Sequence, residues 1–234
     1  MFFERKAYYR RSYSQQGEDL IVDFIFQRFE RPCRFFLDIG SNHPVTLSNS
    51  YYFYRKGASG ICVDPNATFH RHYKRLRPRD TFIACGITGD LSTSMPYYVM
   101  EWDVFNTFDK EFAEQTERKY GGRNSIKSVI NLQVINVNEF LESNVRREID
   151  FLNLDVEGLD LQIIKAWNFE RFSPKVICVE SNTSIEECRS SEAIQILQNA
   201  GYSIRAVNHV NVILAKFHYN KLDEFFRKNN RQLR

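Results

Sequence analysis

Short apolar runs alternate with amphipathic stretches along most of the chain. Over residues 16–29 the apolar positions Leu20, Ile21, Phe24, Ile25 and Phe29 recur at helical spacing, with Ser14 as a cap and Glu18 and Asp19 in the first turn. Residues 35–39 read as a buried strand, 47–56 as a helix closed by Gly57, and 61–63 as a second strand. A helix over 67–76 and a third strand over 81–85 follow. The rhythm then breaks over residues 89–127. There a turn and an alternating stretch (Met95, Tyr97, Val99) lead into a polar helical run from Asp109 to Tyr120 that stops at Gly121-Gly122. Alternation resumes with strands over 132–137, 149–154 and 175–179, separated by helical stretches at 138–141 and 159–167. A helix over 191–200 ends at Gly201, and strands over 202–207 and 210–217 close the chain around Asn208-His209.

This order predicts an α/β protein with a doubly wound, mainly parallel sheet, covered on both faces and closed by an antiparallel pair. Residues 1–234 carry no repeat, low-complexity tract or Pro-rich linker, so one domain is expected, with a helical segment over 1–33 and an insertion on the ligand face over 89–127. Hydrophobic content of 43% and charged content of 26% fit a soluble globular domain. The 20 phenylalanines and 12 tyrosines suit an aromatic core, with some rings left to line a groove. A net charge of +3 is too small to point to nucleic acid. Basic residues gather near the ends (Arg5, Lys6, Arg10 and Arg11; Arg227, Lys228, Arg231 and Arg234), which leaves a peripheral membrane contact open. Cys33, Cys62, Cys85, Cys178 and Cys188 form no C-x-x-C pair, and no apolar run reaches signal-peptide or membrane-span length. A reduced, cytoplasmic setting is expected.

The candidate chemistry sits at the strand ends. The run Phe35-Phe36-Leu37-Asp38-Ile39-Gly40-Ser41-Asn42 ends a buried strand in a loop where Gly40 lets the backbone approach a ligand and Asn42 tolerates positive φ. A second apolar run, Gly60-Ile61-Cys62-Val63, ends in Asp64-Pro65-Asn66 and places a carboxylate where a ribose would be held through its two hydroxyls. The glycines needed to cradle a pyrophosphate are missing after Gly40, so a nucleoside without phosphates fits better, and S-adenosylmethionine is the common ligand of that kind. Asp38 would serve its methionine end, Asp64 its ribose, and Cys85-Gly86 its adenine; Asp155, in Asn153-Leu154-Asp155-Val156-Glu157-Gly158, ends another strand.

In Tyr13-Ser-Gln-Gln-Gly-Glu-Asp-Leu-Ile, Phe36-Leu-Asp-Ile-Gly-Ser-Asn-His-Pro, Leu47-Ser-Asn-Ser-Tyr, Gly57-x-x-Gly-Ile-Cys-Val-Asp-Pro-Asn and Ile149-Asp-Phe-Leu-Asn-Leu-Asp-Val-Glu-Gly-Leu-Asp, the chain resembles the FkbM-type S-adenosylmethionine-dependent methyltransferases. The resemblance runs from about Tyr13 to Ser181. It implies a class I, Rossmann-like methyltransferase with a seven-stranded sheet whose last strand inserts antiparallel beside the fifth. It also implies methyl transfer to oxygen, on a glycan, glycolipid or small-molecule hydroxyl. The segment holding Gln16, Glu18 and Asp19 then belongs near the acceptor. One departure stands out: Pro44 occupies the place where the family has glycine. That departure favours the alternative of a module that binds a nucleoside or glycan without transferring a methyl.

A hydroxyl is a weak nucleophile, and the candidate catalytic groups near the methyl are His43, Asp155 and Glu157. Asp155 and Glu157 leave the strand end on one face and are the pair that would take Mg²⁺ if a cation polarised the acceptor. No metal site is assigned. His70-x-His72 lies on a predicted helix, where residues two apart do not face one another. A polar-Pro-Pro-aromatic tetrad and a Pro-Cys after the fourth strand are both absent, which argues against nucleic-acid base methylation.

Overall fold

The computed structural model describes residues 10–181 and 185–216. The basic clusters at 5–6 and 227–234 and the expected strand end at 216–217 fall largely outside them. The chain opens with α1 (Glu18–Arg28), then β1 (Phe35–Ile39), α2 (Tyr51–Arg55), β2 (Ser59–Val63), α3 (His70–Leu76) and β3 (Thr81–Ile83). Next come β4 (Gly86–Thr88), β5 (Ser94–Met100), α4 (Lys110–Lys119), β6 (Ile126–Asn136) and α5 (Val137–Asn144). The rest is β7 (Phe151–Leu154), α6 (Asp160–Ala166), β8 (Val176–Glu180), α7 (Ile185–Cys188), α8 (Glu192–Asn199), β9 (Ser203–Val207) and β10 (Asn211–Ala215). Among the described residues, no helix is long and apolar enough to cross a membrane.

One sheet of seven strands has the order β3-β2-β1-β7-β8-β10-β9. Its first five strands are mutually parallel, and β10 runs antiparallel to both β8 and β9. From β1 the chain winds outward to β3, then returns to lay β7 on the other side of β1. That reversal opens a crevice at the carboxyl ends of β1 and β7. Strand pleat explains the two cores. In β1, Phe35, Leu37 and Ile39 pack on one face with α5, α6 and α8, whereas Phe36 joins Phe26, Phe53 and Phe151 on the other. All five residues of β1 are buried, as a strand covered on both faces requires.

Several boundaries differ from the sequence reading. The strand expected over 132–137 is the end of β6, which belongs to a second, three-stranded sheet of order β4-β6-β5. Its early half pairs antiparallel with β5 and its last residues pair parallel with β4. The expected third strand stops at Ile83, and Gly86 starts the second sheet. The helix expected from residue 47 begins only at Tyr51, because Leu47 takes φ 57° and Ser48 Oγ accepts the Tyr51 N–H at 3.1 Å. Residues 67–69 form a tight 3₁₀ turn capped by Asn66, whose Oδ1 accepts from Thr68 N–H at 3.1 Å.

Arg77 ties these layers together from inside. It follows α3 with no exposure at all. Its Nε–H donates to Asp80 Oδ2 at 2.6 Å, and Asp80 Oδ1 accepts the Gly60 N–H at the start of β2. Its other nitrogens donate to Pro44 O (3.2 Å), Ser48 Oγ (3.3 Å) and Ser50 Oγ (2.9 Å), and Ser50 Oγ–H donates to Asp38. The rings of Phe36, Tyr51, Tyr54 and Tyr73 surround it, 5.2–5.9 Å from the guanidinium carbon. Removing one member of a buried ion pair strands the other, so Arg77→Met should cost about 3–5 kcal/mol in urea unfolding. Arg77→Met with Asp80→Asn should recover part of that loss. Equal stability of the single variant and the parent would show that the pair is idle.

Candidate functional site

The crevice between β1 and β7 depends on a glycine. Gly40 takes φ +81°, and a Cβ there would lie 1.6 Å from the Asp155 carbonyl oxygen. No side chain fits where β1 leaves the sheet against β7. The Gly40 and Ser41 N–H groups both donate to Val63 O, at 2.9 and 3.0 Å. Asn42, at φ 41°, donates its N–H to Asp64 Oδ2 at 2.9 Å, and Asn66 donates its own to Asp64 Oδ1 at 2.8 Å. Asp64 therefore organises the loops after β1 and β2, with one lone pair on each oxygen still free. Burial pushes its carboxyl up to about 6, against the pull of the Asn66 and Asn42 amides.

Around this crevice is a cleft of about 680 Å³. Its floor holds Asp38, Asn153 and Asn49 in a chain: Asn153 Nδ2 donates to Asp38 Oδ1 at 2.9 Å, and Asn49 Nδ2 donates to Asn153 Oδ1 at 2.8 Å. Pro65 and Cys85 stand on one side of the cleft, near the Tyr97 and Phe108 rings, whose centroids are 4.7 Å apart. The far wall comes from residues 103–120, including Phe105, Phe112 and Tyr120. The start of this wall is pinned twice. Asn42 Nδ2 donates to Asp103 O at 3.5 Å, and Thr107 Oγ1 donates to Glu157 O at 2.5 Å.

A carboxylate cluster occupies the ends of β7 and β8. Asp155, Glu157 and Glu180 each offer an oxygen within 4.8 Å of the others. Burial raises the Asp155 carboxyl well above the carboxylate range, and the negative charges of Glu180 and Glu157 add to the effect. Glu157 is raised by burial too, then by Glu180 and Asp160. Glu180 escaped the sequence reading. Its signal was the one that revealed Asp64: an acid ending an apolar strand, here Val176-Ile177-Cys178-Val179-Glu180.

Of the expected site residues, Asp38, Gly40, Ser41, Asn42, Asp64, Pro65, Cys85, Asp155 and Glu157 all line the cleft. The others are used elsewhere. His43 is not on the cleft wall: its Nδ1 accepts the Val45 and Thr46 N–H groups at 3.2 and 3.0 Å, and its ring packs near Phe69 and His72. Burial and the neighbouring His72 lower its pKa. Asn66 caps the turn that precedes α3. Gly86 is a packing glycine, since a Cβ there would press the Phe108 ring at 2.5 Å. Gln16, Glu18 and Asp19 brace the N-terminal segment rather than line the cleft, and Gln15 is the residue of that segment on the wall. Glu18 takes Asn208 and Asn211 side-chain donors at 2.8 and 2.9 Å and the Gln16 N–H at 2.9 Å. Burial opposes its ionisation, but these bonds hold the carboxyl below its ordinary value. Asp19 accepts from Ser12, Tyr13 and Leu20, and both acids are fully buried.

A family model described as the Methyltransferase FkbM domain matches residues 38–204. The chain belongs to that family. The matched part of the FkbM domain begins at Asp38 and takes in the carboxyl ends of β1, β2, β7 and β8 and the wall at 103–120; α1 lies outside it. Among solved structures, the chain is similar to a methyltransferase from Geobacter sulfurreducens at 11% identity, covering 88% of this chain and 80% of that one, with a TM-score of 0.44. It is also similar to a TehB-like SAM-dependent methyltransferase from Corynebacterium glutamicum at 10% identity, covering 86% and 88%, with a TM-score of 0.38. No curated protein matches the chain at a significant score.

Gly40→Ala tests the crevice of the FkbM domain directly. Positive φ and the approach to Asp155 together should cost at least about 1–3 kcal/mol in thermal or urea unfolding. Gly57 also takes positive φ, at 97°, but has nothing within 4 Å of a Cβ, so Gly57→Ala should cost less. Equal losses at the two positions would mean that the β1–β7 approach is not tight.

Proposed function

We propose that the protein transfers a methyl group from S-adenosylmethionine to a hydroxyl of a sugar or glycoconjugate in the cytoplasm. The observation that carries this reading is the convergence of Gly40, Asp64 and Asp155 on one cleft at the point of strand reversal in an FkbM domain. The bound donor would supply an electrophilic methyl on a sulfonium. Asp64 would accept both ribose hydroxyls on its free lone pairs, and the apolar side of the cleft at Pro65, Cys85 and Ile87 would take the adenine. Holding donor and acceptor in line is worth up to about 7–11 kcal/mol of barrier in favourable cases.

The acceptor would enter over residues 102–120. Trp102, Phe105 and Tyr120 pack together there with centroids 5.2–6.3 Å apart, and Trp102 is 44% exposed. Such faces suit the C–H side of a sugar ring. The acceptor hydroxyl would meet the carboxylates of Asp155, Glu157 and Glu180, which can take its proton. The same three oxygens are close enough to share a divalent cation, and that observation favours a second version in which the cation polarises the hydroxyl. The non-catalytic alternative rested on Pro44. Pro44 is built into its loop, since its carbonyl accepts from Arg77 and the left-handed turns fall at Asn42 and Leu47.

Calorimetry with S-adenosylhomocysteine tests the donor. Asp64→Asn should weaken binding by about 1.5–3 kcal/mol, because a charged acceptor of two hydroxyls is lost. The parent's affinity should fall as pH drops through about 6, where Asp64 takes up its proton and loses an acceptor; the variant should not follow it. A parent profile flat from pH 8 to 5 would remove Asp64 from the site.

Turnover should rise with pH along a limb above the ordinary carboxylate range, since the raised acids must lose a proton to act as bases. Glu180→Gln should lower turnover by about 10²-fold or more while leaving donor affinity close to the parent's. If a cation serves the site, EDTA should abolish activity and Mg²⁺ restore it; an EDTA-resistant enzyme assigns the step to the carboxylates alone. His43→Ala should leave turnover within a few-fold. An unimpaired Glu180→Gln enzyme with an impaired His43→Ala enzyme would reverse these roles.

A further inference from the structure

Three polar atoms of the cleft lack a partner among the described residues: Ser41 Oγ, Asn49 Oδ1 and Asp155 Oδ1. Ser41 Oγ and Asn49 Oδ1 are both buried and unbonded, although their residues are only 6% and 7% exposed and both line the cleft. Buried polar groups nearly always find partners, and an orphan costs stability. Asn49 is the more informative of the two, because its amide cannot simply be turned over.

Its orientation is dictated from the protein interior, step by step. Arg77 has only donors, and its Nη2 donates to Ser50 Oγ at 2.9 Å. The Ser50 hydroxyl proton is then free to go to Asp38. Asp38 presents its other oxygen to Asn153, so Asn153 must offer its NH₂ at 2.9 Å and point its carbonyl away. That carbonyl takes the Asn49 NH₂ at 2.8 Å. Asn49 Oδ1 is what remains at the end of the chain. Turning the amide would set two carbonyl oxygens against each other. The fixed charge of Arg77 thus ends, four hydrogen bonds later, in an acceptor of set direction on the cleft floor.

An acceptor so held calls for a donor that arrives with the ligand. Asp155 Oδ1 is the third buried, unbonded oxygen of the same cleft. An acceptor of fixed direction suits a group with several N–H donors that carries positive charge. Hydroxyl pairs of a ribose are served by Asp64, on the loop after β2. We propose that Asn49 reads the α-ammonium of the donor's methionyl end, oriented for that task by the chain running from Arg77 through Ser50, Asp38 and Asn153. This inference rests on the donor reading above. It adds a specificity residue outside the strand ends and gives Arg77 a positioning role at a distance.

The test uses the full chain and three ligands in calorimetry: S-adenosylhomocysteine, its deaminated analogue that keeps the carboxylate, and 5′-methylthioadenosine, which lacks the aminoacyl end. The parent should bind S-adenosylhomocysteine at least about tenfold more tightly than the deaminated analogue, as loss of a charge-assisted bond implies. Asn49→Ala should bring the two ligands to within about threefold of each other, with 5′-methylthioadenosine bound as in the parent. That unchanged third affinity also reports an intact fold. Should Asn49→Ala fail to fold, Asn49→Ser is read in the same way. As a companion, Ser41→Ala should melt no lower than the parent, since it removes an unpaired hydroxyl, yet bind S-adenosylhomocysteine more weakly. An Asn49 variant that still discriminates tenfold against the deaminated ligand overturns the inference and leaves the donor reading standing. A parent that binds none of the three overturns both.

Discussion

A guanidinium sealed inside a protein must be met by charge and acceptors on every side, and the surroundings of Arg77 are arranged to do so. Five N–H donors in a rigid plane cannot be left dry, so Asp80, Ser50, Ser48 and the Pro44 carbonyl are drawn onto one residue. Those partners come from the loop between β1 and α2 and from the turn between α3 and β3. Satisfying one buried cation therefore fixes two connections that have little other reason to agree. The aromatic rings stacked around it, Tyr73 against Phe82 among them with centroids 4.6 Å apart, exclude water and make each of those bonds harder to replace. Asp38 belongs to the same system. Burial raises its carboxyl, while Ser50, the Arg77 charge and Asn153 pull it back down. A strand residue at the core of the sheet can carry a carboxyl because Ser50, Arg77 and Asn153 offset part of the cost of its burial.

From that anchor the site is built outward. Gly40 brings β1 against the backbone of β7, and Asp64 laces the next two loops together through Asn42 and Asn66. The segment over 89–127 then closes the cleft from the far side. It is held by its own three-stranded sheet rather than by the main one, and its contacts with the cleft run through Asp103, Thr107 and Asp109. A wall attached this way can vary in sequence without disturbing the strand ends across the cleft. Loops on a rigid scaffold are free to diversify for that reason.

Much of this was legible in the sequence, and the failures have physical causes. Strands buried on both faces announce themselves as short apolar runs, so β1, β2, β7, β8 and their terminal acids were visible. Residues whose partners lie far along the chain were not. Glu18 and Asp19 look like first-turn acids of a surface helix; Glu18 is in fact bonded to Asn208 and Asn211, about 190 positions away. His43 differs for a local reason: it is the residue type best suited to neutral-pH base chemistry, but its Nδ1 is taken by the Val45 and Thr46 amides that follow it. The boundary at Tyr51 was hidden too, because Leu47 tolerates φ 57° only in a loop that Arg77 holds from behind. Glu180 was in view and went unread. The rule that found Asp64 applies to it without change.

The electrostatics of the cleft give its parts a common logic. Asp38, Asp64, Asp155, Glu157 and Glu180 all line it, with Lys119 the basic side chain on the wall. Burial is the larger cause of the upward shift at Asp155 and Glu157, and the repulsion among acids crowded this closely adds to it. A ligand bearing a sulfonium and an ammonium relieves it, and relief of mutual repulsion is a source of binding energy that needs few direct contacts. Once the methyl has left, the sulfonium charge is gone, and the same floor has less to hold. If the donor is the one proposed, an acidic cleft favours it over its own spent product. In that reading the carboxylates would draw the charged donor in and hold its neutral thioether product less tightly.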